Sequence, residues 1–179
     1  IFAVTPVTNP TSTVMYKVLI CLKTRNPIII SAHRSAKRCC TETVRICYEA
    51  ALKAGAPEDC IQIIPSGSRE LTQTVMAHPK LALILATGGT GLVKAAYSSG
   101  NPAIGVGPGN VPVFIDVSAD IPFAISNIIS SKTFDNGTIC ASEQAVIVEQ
   151  KIEKQVMEEF QRQDCYFLDP EEIRKVEKV

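Results

Sequence analysis

The sequence predicts an α/β protein built on a parallel sheet with helices on both faces. Short apolar runs rich in β-forming residues alternate with longer segments whose apolar residues recur at helical spacing. The run Leu81–Ala86 is continuously apolar rather than alternating, as a strand covered on both faces requires. That run passes straight into Thr87-Gly88-Gly89-Thr90-Gly91, a glycine-rich turn of the kind that joins a strand to the next helix.

A short strand opens the chain at Ile1. Thr11 or Ser12 is expected to cap a helix reaching about Leu22, because Val14, Met15, Val18, Leu19 and Leu22 form one apolar stripe. Asn26-Pro27 ends it, since the residue before proline is pushed out of the helical region. Pro27–Ala32 then reads as a buried strand. A second helix is expected from about Ala36 to Ala54, with Cys40, Val44, Cys47 and Ala51 at helical spacing and Gly55 just past its end. Ile61–Ile64 is a strand, and Ser68 caps a short helix through Met76. After Leu81–Ala86 and its glycine turn come a helix near Leu92–Ser98, a strand Ala103–Val106, a turn at Gly107–Asn110 and a strand Pro112–Asp116.

Asp120-Ile121-Pro122 caps and starts a helix to about Ser131, and the polar stretch Lys132–Gly137 leads to Thr138-Ile139-Cys140. The tail carries a strand Gln144–Glu149, an amphipathic helix Ile152–Gln163 and a last helix from Pro170 to Val179. A domain transition is expected between Asp116 and Cys140. Residues 1–116 then form a Rossmann-like domain, and residues 117–179 open a second α/β domain. Direct entry into a strand and an end without a cap lead us to expect a piece of a longer chain.

Of the 179 residues 46% are hydrophobic and 20% charged, enough burial to offset the entropy of ordering. Eighteen Lys+Arg balance 18 Asp+Glu, so the basic footprint of a nucleic-acid binder is missing. The apolar runs fall far short of the roughly 20 residues that cross a bilayer, and no signal peptide opens the chain; a cytoplasmic protein is expected. Seven cysteines, an odd number without CxxC pairs, argue against a disulfide or zinc framework, and no metal is expected. Core packing is the default for each of them.

Cys140 stands apart because it lies outside any periodic apolar face, just after Asn136-Gly137. A thiolate there attacks carbonyls, with a backbone N–H beside it to hold the oxyanion; packing is the competing reading. The turn Gly88-Gly89-Thr90-Gly91 either cradles a phosphate at a helix N-terminus or serves tight strand-to-helix packing. Gly105-Val106-Gly107-Pro108-Gly109-Asn110 misses the GxGxxG spacing and precedes a strand, so it reads as a turn that brings backbone close to a ligand or a neighbouring strand. Only His33 and His78 exist, and His78 precedes Pro79 on a surface loop, which disfavours a Cys-His hydrolase. His33, at the end of a predicted strand, either faces a ligand or caps a helix. Asn9 is either a turn former or an amide donor to an oxyanion at the same sheet edge.

Taken together, Pro6-Val7-Thr8-Asn9-Pro10-Thr11-Ser12, Leu22-Lys23-Thr24-Arg25-Asn26-Pro27, Ala86-Thr87-Gly88-Gly89, Lys94-Ala95-Ala96-Tyr97-Ser98-Ser99-Gly100, Gly105–Asn110 and Phe134–Gln144 resemble the CoA-acylating aldehyde dehydrogenases, above all the aldehyde dehydrogenase half of the bifunctional aldehyde-alcohol dehydrogenases. The resemblance implies NAD as cofactor, coenzyme A as co-substrate and acetaldehyde as substrate. It also implies a homo-oligomer at full length. Cys140 matches the nucleophile, and the Asn9 amide and Cys140 N–H match the oxyanion donors. Thr87, Gly88, Gly89 and Gly91 match the loop against NAD, and His33, Gly107 and Gly109 are expected to contribute to cofactor binding. Hydrolytic relatives carry a general-base Glu where Gly105–Pro112 here has no ionisable side chain, which favours acyl transfer to a thiol over hydrolysis. Arg34 stands where relatives usually have Pro. The resemblance covers neither the N-terminal helical region of those enzymes nor the later carboxylate segment at the nicotinamide ribose, so these 179 residues alone are expected to be inactive.

Overall fold

The computed structural model describes residues 1–64 and 67–178, which form two compact units, Ile1–Pro108 and Gly109–Val179. In the first unit, strands β1 (Phe2–Thr5), β2 (Ile28–Ala32), β3 (Ile61–Ile63), β4 (Ile84–Thr87) and β5 (Ala103–Val106) make one sheet in the order β3-β2-β1-β4-β5. All four pairings are parallel.

Helices α1 (Pro10–Lys23) and α2 (Lys37–Lys53) bury Val14, Val18, Cys21, Cys40 and Val44 with Ala3, Ile28 and Ile30 of the sheet. Helices α3 (Arg69–Met76) and α4 (Thr90–Tyr97) bury Met76 and Ala96 with Phe2, Val4, Ile84 and Ala86 in a separate cluster. Successive β1 side chains therefore enter different clusters, as the two-residue period of a strand demands. Phe2, Ile28, Ile30 and Ile84 are fully buried, each stabilising the fold by about 1.5–3 kcal/mol. The crossovers leaving β1 and β4 depart to opposite faces, which opens a crevice between the carboxyl ends of these two strands.

Several boundaries differ from expectation for physical reasons. Helix α1 starts at Pro10 with Asn9, not Thr11 or Ser12, as its N-cap residue; proline at the first position presets the helical φ. The Ser12 and Thr13 hydroxyls instead donate to the Asn9 carbonyl. Helix α2 begins at Lys37, after a 3₁₀ turn over Arg34–Ala36. Strand β4 begins at Ile84, so Leu81–Leu83 is apolar without belonging to the ladder. Helix α3 is as expected, its Ser68 Oγ accepting from the Leu71 N–H.

In the second unit, β6 (Val111–Ile115) pairs in parallel with β7 (Glu143–Val148), with a register shift at Val111/Pro112. A proline cannot donate to the ladder, which accounts for the irregularity. Helices α5 (Ile121–Thr133) and α6 (Glu153–Arg162) close the core with Ile115, Ile121, Ile125, Ile128 and Val156. Helix α7 (Pro170–Val176) follows; its expected end at Val179 lies outside the described residues. The boundary at Pro108/Gly109 precedes the expected transition after Asp116, because the strand assigned to the first domain finds its partner in β7.

Among the described residues, no helix is long and apolar enough to cross a membrane, and no three His, Cys, Asp or Glu side chains gather as a metal site would require.

Candidate active site

At the carboxyl edge of the first unit's sheet lies a cavity of about 830 Å³ whose lining includes Thr5, His33, Thr87, Gly88, Gly89 and Gly91. The structure thus brings five of the residues anticipated at the cofactor to one place. Within the glycine turn their roles diverge. The Gly88 N–H donates to the Val106 carbonyl at 3.0 Å and is spent on the β4–β5 ladder. A Cβ on Gly88 would stand 2.6 Å from Leu92 Cδ2, so this glycine serves close strand-to-helix packing. Gly89, the N-cap residue of α4, has extended ψ and no side chain to cap the helix. Among the described residues, no acceptor takes the Gly89, Thr90 or Gly91 N–H. Three free donors at the positive end of a helix fit an anionic phosphate, and on this ground the residues present fit a dinucleotide.

His33 is exposed, and its Nδ1 accepts from the Ser35 N–H at 3.2 Å, capping the 3₁₀ turn. Its Nε2 makes no hydrogen bond to protein among the described residues. The capping and the ligand-facing readings of His33 are thus compatible. Gly107 sits near α4, its nearest neighbours being Val93 Cγ2 at 3.6 Å and the Gly88 carbonyl at 4.0 Å from a built Cβ.

Asn9 ends the loop that leaves β1. Its carbonyl oxygen Oδ1 accepts from the Thr8 hydroxyl at 3.1 Å, and its side chain makes no capping bond to α1. The main-chain carbonyl does the local structural work, accepting from Thr13 Oγ1 at 2.7 Å and from the Thr13 N–H at 3.2 Å. The amide nitrogen Nδ2 is left without an acceptor among the described residues, a donor held in orientation through its own Oδ1.

Cys140 belongs to the second unit, in the segment between α5 and β7. It is exposed, unlike Cys21, Cys40 and Cys60, which pack in the core as expected. Burial pushes the Cys21 and Cys40 thiols above the usual range. Cys39 is also exposed, on the outer face of α2, so exposure alone does not single out Cys140 as the sequence pattern suggested. Its backbone does. Asp135, Asn136 and Gly137 take left-handed φ values of 49°, 54° and 69° in succession. Asp and Asn tolerate this region better than other non-glycine residues, and such outliers cluster at functional sites. Thr138 stabilises the turn by donating both its N–H and its hydroxyl to the Asp135 carbonyl. Among the described residues the Cys140 N–H has no acceptor.

Gly109 lies against this segment: a Cβ built there would be 3.4 Å from the Cys140 carbonyl oxygen. The close approach anticipated for the second glycine cluster is made here to a neighbouring segment of the same unit. Glu143, three residues beyond Cys140, escaped the sequence reading. Its Oε2 is buried with no hydrogen-bond partner among the described residues, and only the CxxE spacing would have pointed to it.

The first unit has the doubly wound sheet of the nucleotide-binding folds, with an anion cradle at its crossover point, and the second carries an exposed cysteine on a left-handed turn. The aldehyde dehydrogenase family model matches residues 1–164, and the chain belongs to that family. It is 54% identical over 175 residues to Aldehyde-alcohol dehydrogenase 2 of Entamoeba histolytica, covering 98% of this chain and 20% of that protein. Among solved structures, an acetylating aldehyde dehydrogenase from Geobacillus thermoglucosidasius is 53% identical with a TM-score of 0.85, covering 99% of this chain and 39% of that one. A propionaldehyde dehydrogenase from Rhodopseudomonas palustris, solved with bound CoA and an acylated cysteine, is 32% identical with a TM-score of 0.82, covering 97% of this chain and 40% of that one. The chain therefore spans about a fifth of the length of the curated relatives it matches.

Proposed function

We propose that this chain supplies the dinucleotide cradle and the nucleophile of a cytoplasmic CoA-acylating aldehyde dehydrogenase that oxidises acetaldehyde. The observation that carries the reading is Cys140: exposed, on a turn built from three left-handed residues, with its own N–H free.

The Cys140 thiolate adds to the aldehyde carbon, forming the C–S bond and placing negative charge on the former carbonyl oxygen. The Cys140 N–H and the Asn9 Nδ2 are the donors this chain offers to that oxygen. A nicotinamide dinucleotide held by this unit would supply the two-electron oxidant that takes hydride from that carbon, and Cys140 then carries the acyl group as a thioester. The free N–H groups of Gly89, Thr90 and Gly91 would hold the dinucleotide phosphates, with Thr87, His33, Gly107 and Gly109 as further cofactor residues. The coenzyme A thiol, giving up its proton, then attacks the thioester carbon and Cys140 leaves as thiolate. Exchange of one thioester for another is nearly neutral in free energy. Gly105–Pro112 offers no ionisable side chain to activate water, which favours this outcome over hydrolysis. The free cysteines suit a reducing compartment.

The test is the thiol requirement of the full-length protein that carries these residues. NADH formation from acetaldehyde is expected to depend on free coenzyme A beyond the first turnover. Sustained NADH formation without it identifies a hydrolytic enzyme instead.

A further inference from the structure

Lys17 is a buried charge in the first unit that core packing cannot explain. It sits on the inner face of α1 beside Val14, Val18 and Cys21, and it is only 3% exposed. Its ammonium donates to the Val4 carbonyl at 2.7 Å and to the Leu85 carbonyl at 2.8 Å. Among the described residues no carboxylate pairs with it, and Cys21 is the titratable group that acts on it. An ammonium in such a place is expensive, because carbonyl dipoles replace water only in part. Burial accordingly pushes Lys17 down from 10.5 to about 8. An unbranched apolar side chain would fill the same space without that cost, so stability alone gives no reason for lysine.

The two carbonyls supply one. Val4 is the residue before the last of β1, and Leu85 is two residues before the end of β4. These are the neighbouring strands at which the crossovers diverge and the crevice opens. One loop leaves β1 towards Asn9, and the other leaves β4 into Gly88–Thr90.

We infer that Lys17 is a positioning residue for the reaction: its ammonium clamps the carboxyl ends of β1 and β4 and so fixes the Asn9 loop and the Gly89–Gly91 donors in place. The inference rests on the dehydrogenase reading for the meaning of those loops. The clamp itself rests on the two hydrogen bonds and on the sheet topology.

Lys17→Met and Lys17→Gln in the full-length protein test it by two independent readouts. Hydrogen exchange at the Thr13, Gly88, Leu92 and Val93 amides, whose bonds tie these two loops to the fold, is expected to quicken about tenfold in Lys17→Met, while β2 and β5 amides keep their protection and unfolding stays cooperative. The KM for NAD is expected to rise about tenfold with a smaller loss in kcat, as loss of preorganised binding requires. Lys17→Gln, which keeps an amide donor for one carbonyl, falls between the two in both readouts. Unchanged exchange and unchanged KM in Lys17→Met overturn the proposal. Failure of both variants to fold also overturns it, because Lys17 is then a determinant of the fold. Faster loop exchange in a protein whose wild type does not reduce NAD supports the clamp and removes the dehydrogenase reading.

Discussion

At the scale of single residues, the proposed chemistry divides between a thiol that is easy to reach and an amide that is held ready. Cys140 has no hydrogen-bond duty in the fold, so Cys140→Ser should leave folding and NAD binding intact while lowering turnover by at least about 10³-fold. Steady-state assays beside a dinucleotide titration check this. Asn9 is different, because its Oδ1 is engaged by Thr8 and its backbone caps α1. Asn9→Ala removes the donor and keeps the backbone carbonyl, and it should reduce kcat by about 10²–10³-fold with little change in thermal midpoint. The prominence of Cys140 was legible in the sequence from its lack of periodic neighbours. The exposure of Cys39 was not, because helical spacing says which residues share a face but not how far that face is covered. The Asn9 amide was named from the sequence as a candidate donor, but that its Nδ2 stays free while Thr8 engages its Oδ1 was not legible there.

At the scale of elements, the glycines near the turn after β4 do two jobs that the sequence cannot separate. Gly88 packs and Gly89 leaves its N–H free, although both stand in the same motif. Gly105 is a packing glycine as well: a Cβ there would lie 2.7 Å from Val93 Cγ1 and 2.9 Å from Tyr97 Cε2, and its N–H donates to the Tyr97 hydroxyl. Gly105→Ala should push α4 from the sheet and cost about 1–3 kcal/mol in denaturant unfolding, against a few tenths for Gly89→Ala. If Gly105→Ala unfolds like the wild type, α4 is not held by this contact. Strand and helix identities were readable throughout from periodicity and caps such as Ser68 and Asp120, whose side chains accept from the Leu71 and Phe123 N–H groups. Strand partners were not. An apolar run such as Val111–Ile115 carries no mark of whether it extends a sheet or pairs with β7, and that choice moved the unit boundary.

At the scale of the whole molecule, the parallel sheet with helices on both faces was predictable from alternation, and the crevice follows from strand order, which only the structure supplies. A buried lysine beneath that crevice leaves a signature in the stability of the chain. The folded ammonium titrates near 8 while the unfolded one titrates near 10.5, so between these values the unfolded chain binds more protons. Lys17 therefore penalises the fold below pH 8, and the penalty is relieved as pH rises to about 10.5. Relative to Lys17→Met, the wild type should gain up to about 3 kcal/mol across this window, measured by urea unfolding at a series of pH values. The comparison matters because buried Cys21 and Cys40, with raised thiol values, pull the other way in both proteins. A difference that is flat with pH would show that burial does not lower the lysine's pKa and that the ammonium titrates in the fold as it does in the unfolded chain.

The central claim is tested most directly by supplying acetaldehyde and NAD to the full-length protein without coenzyme A, then following NADH and the mass of the peptide that contains Cys140. The account predicts a burst of one NADH per site and an acyl group on Cys140 that coenzyme A discharges as acyl-CoA. Continuous NADH release with Cys140 unmodified would contradict it.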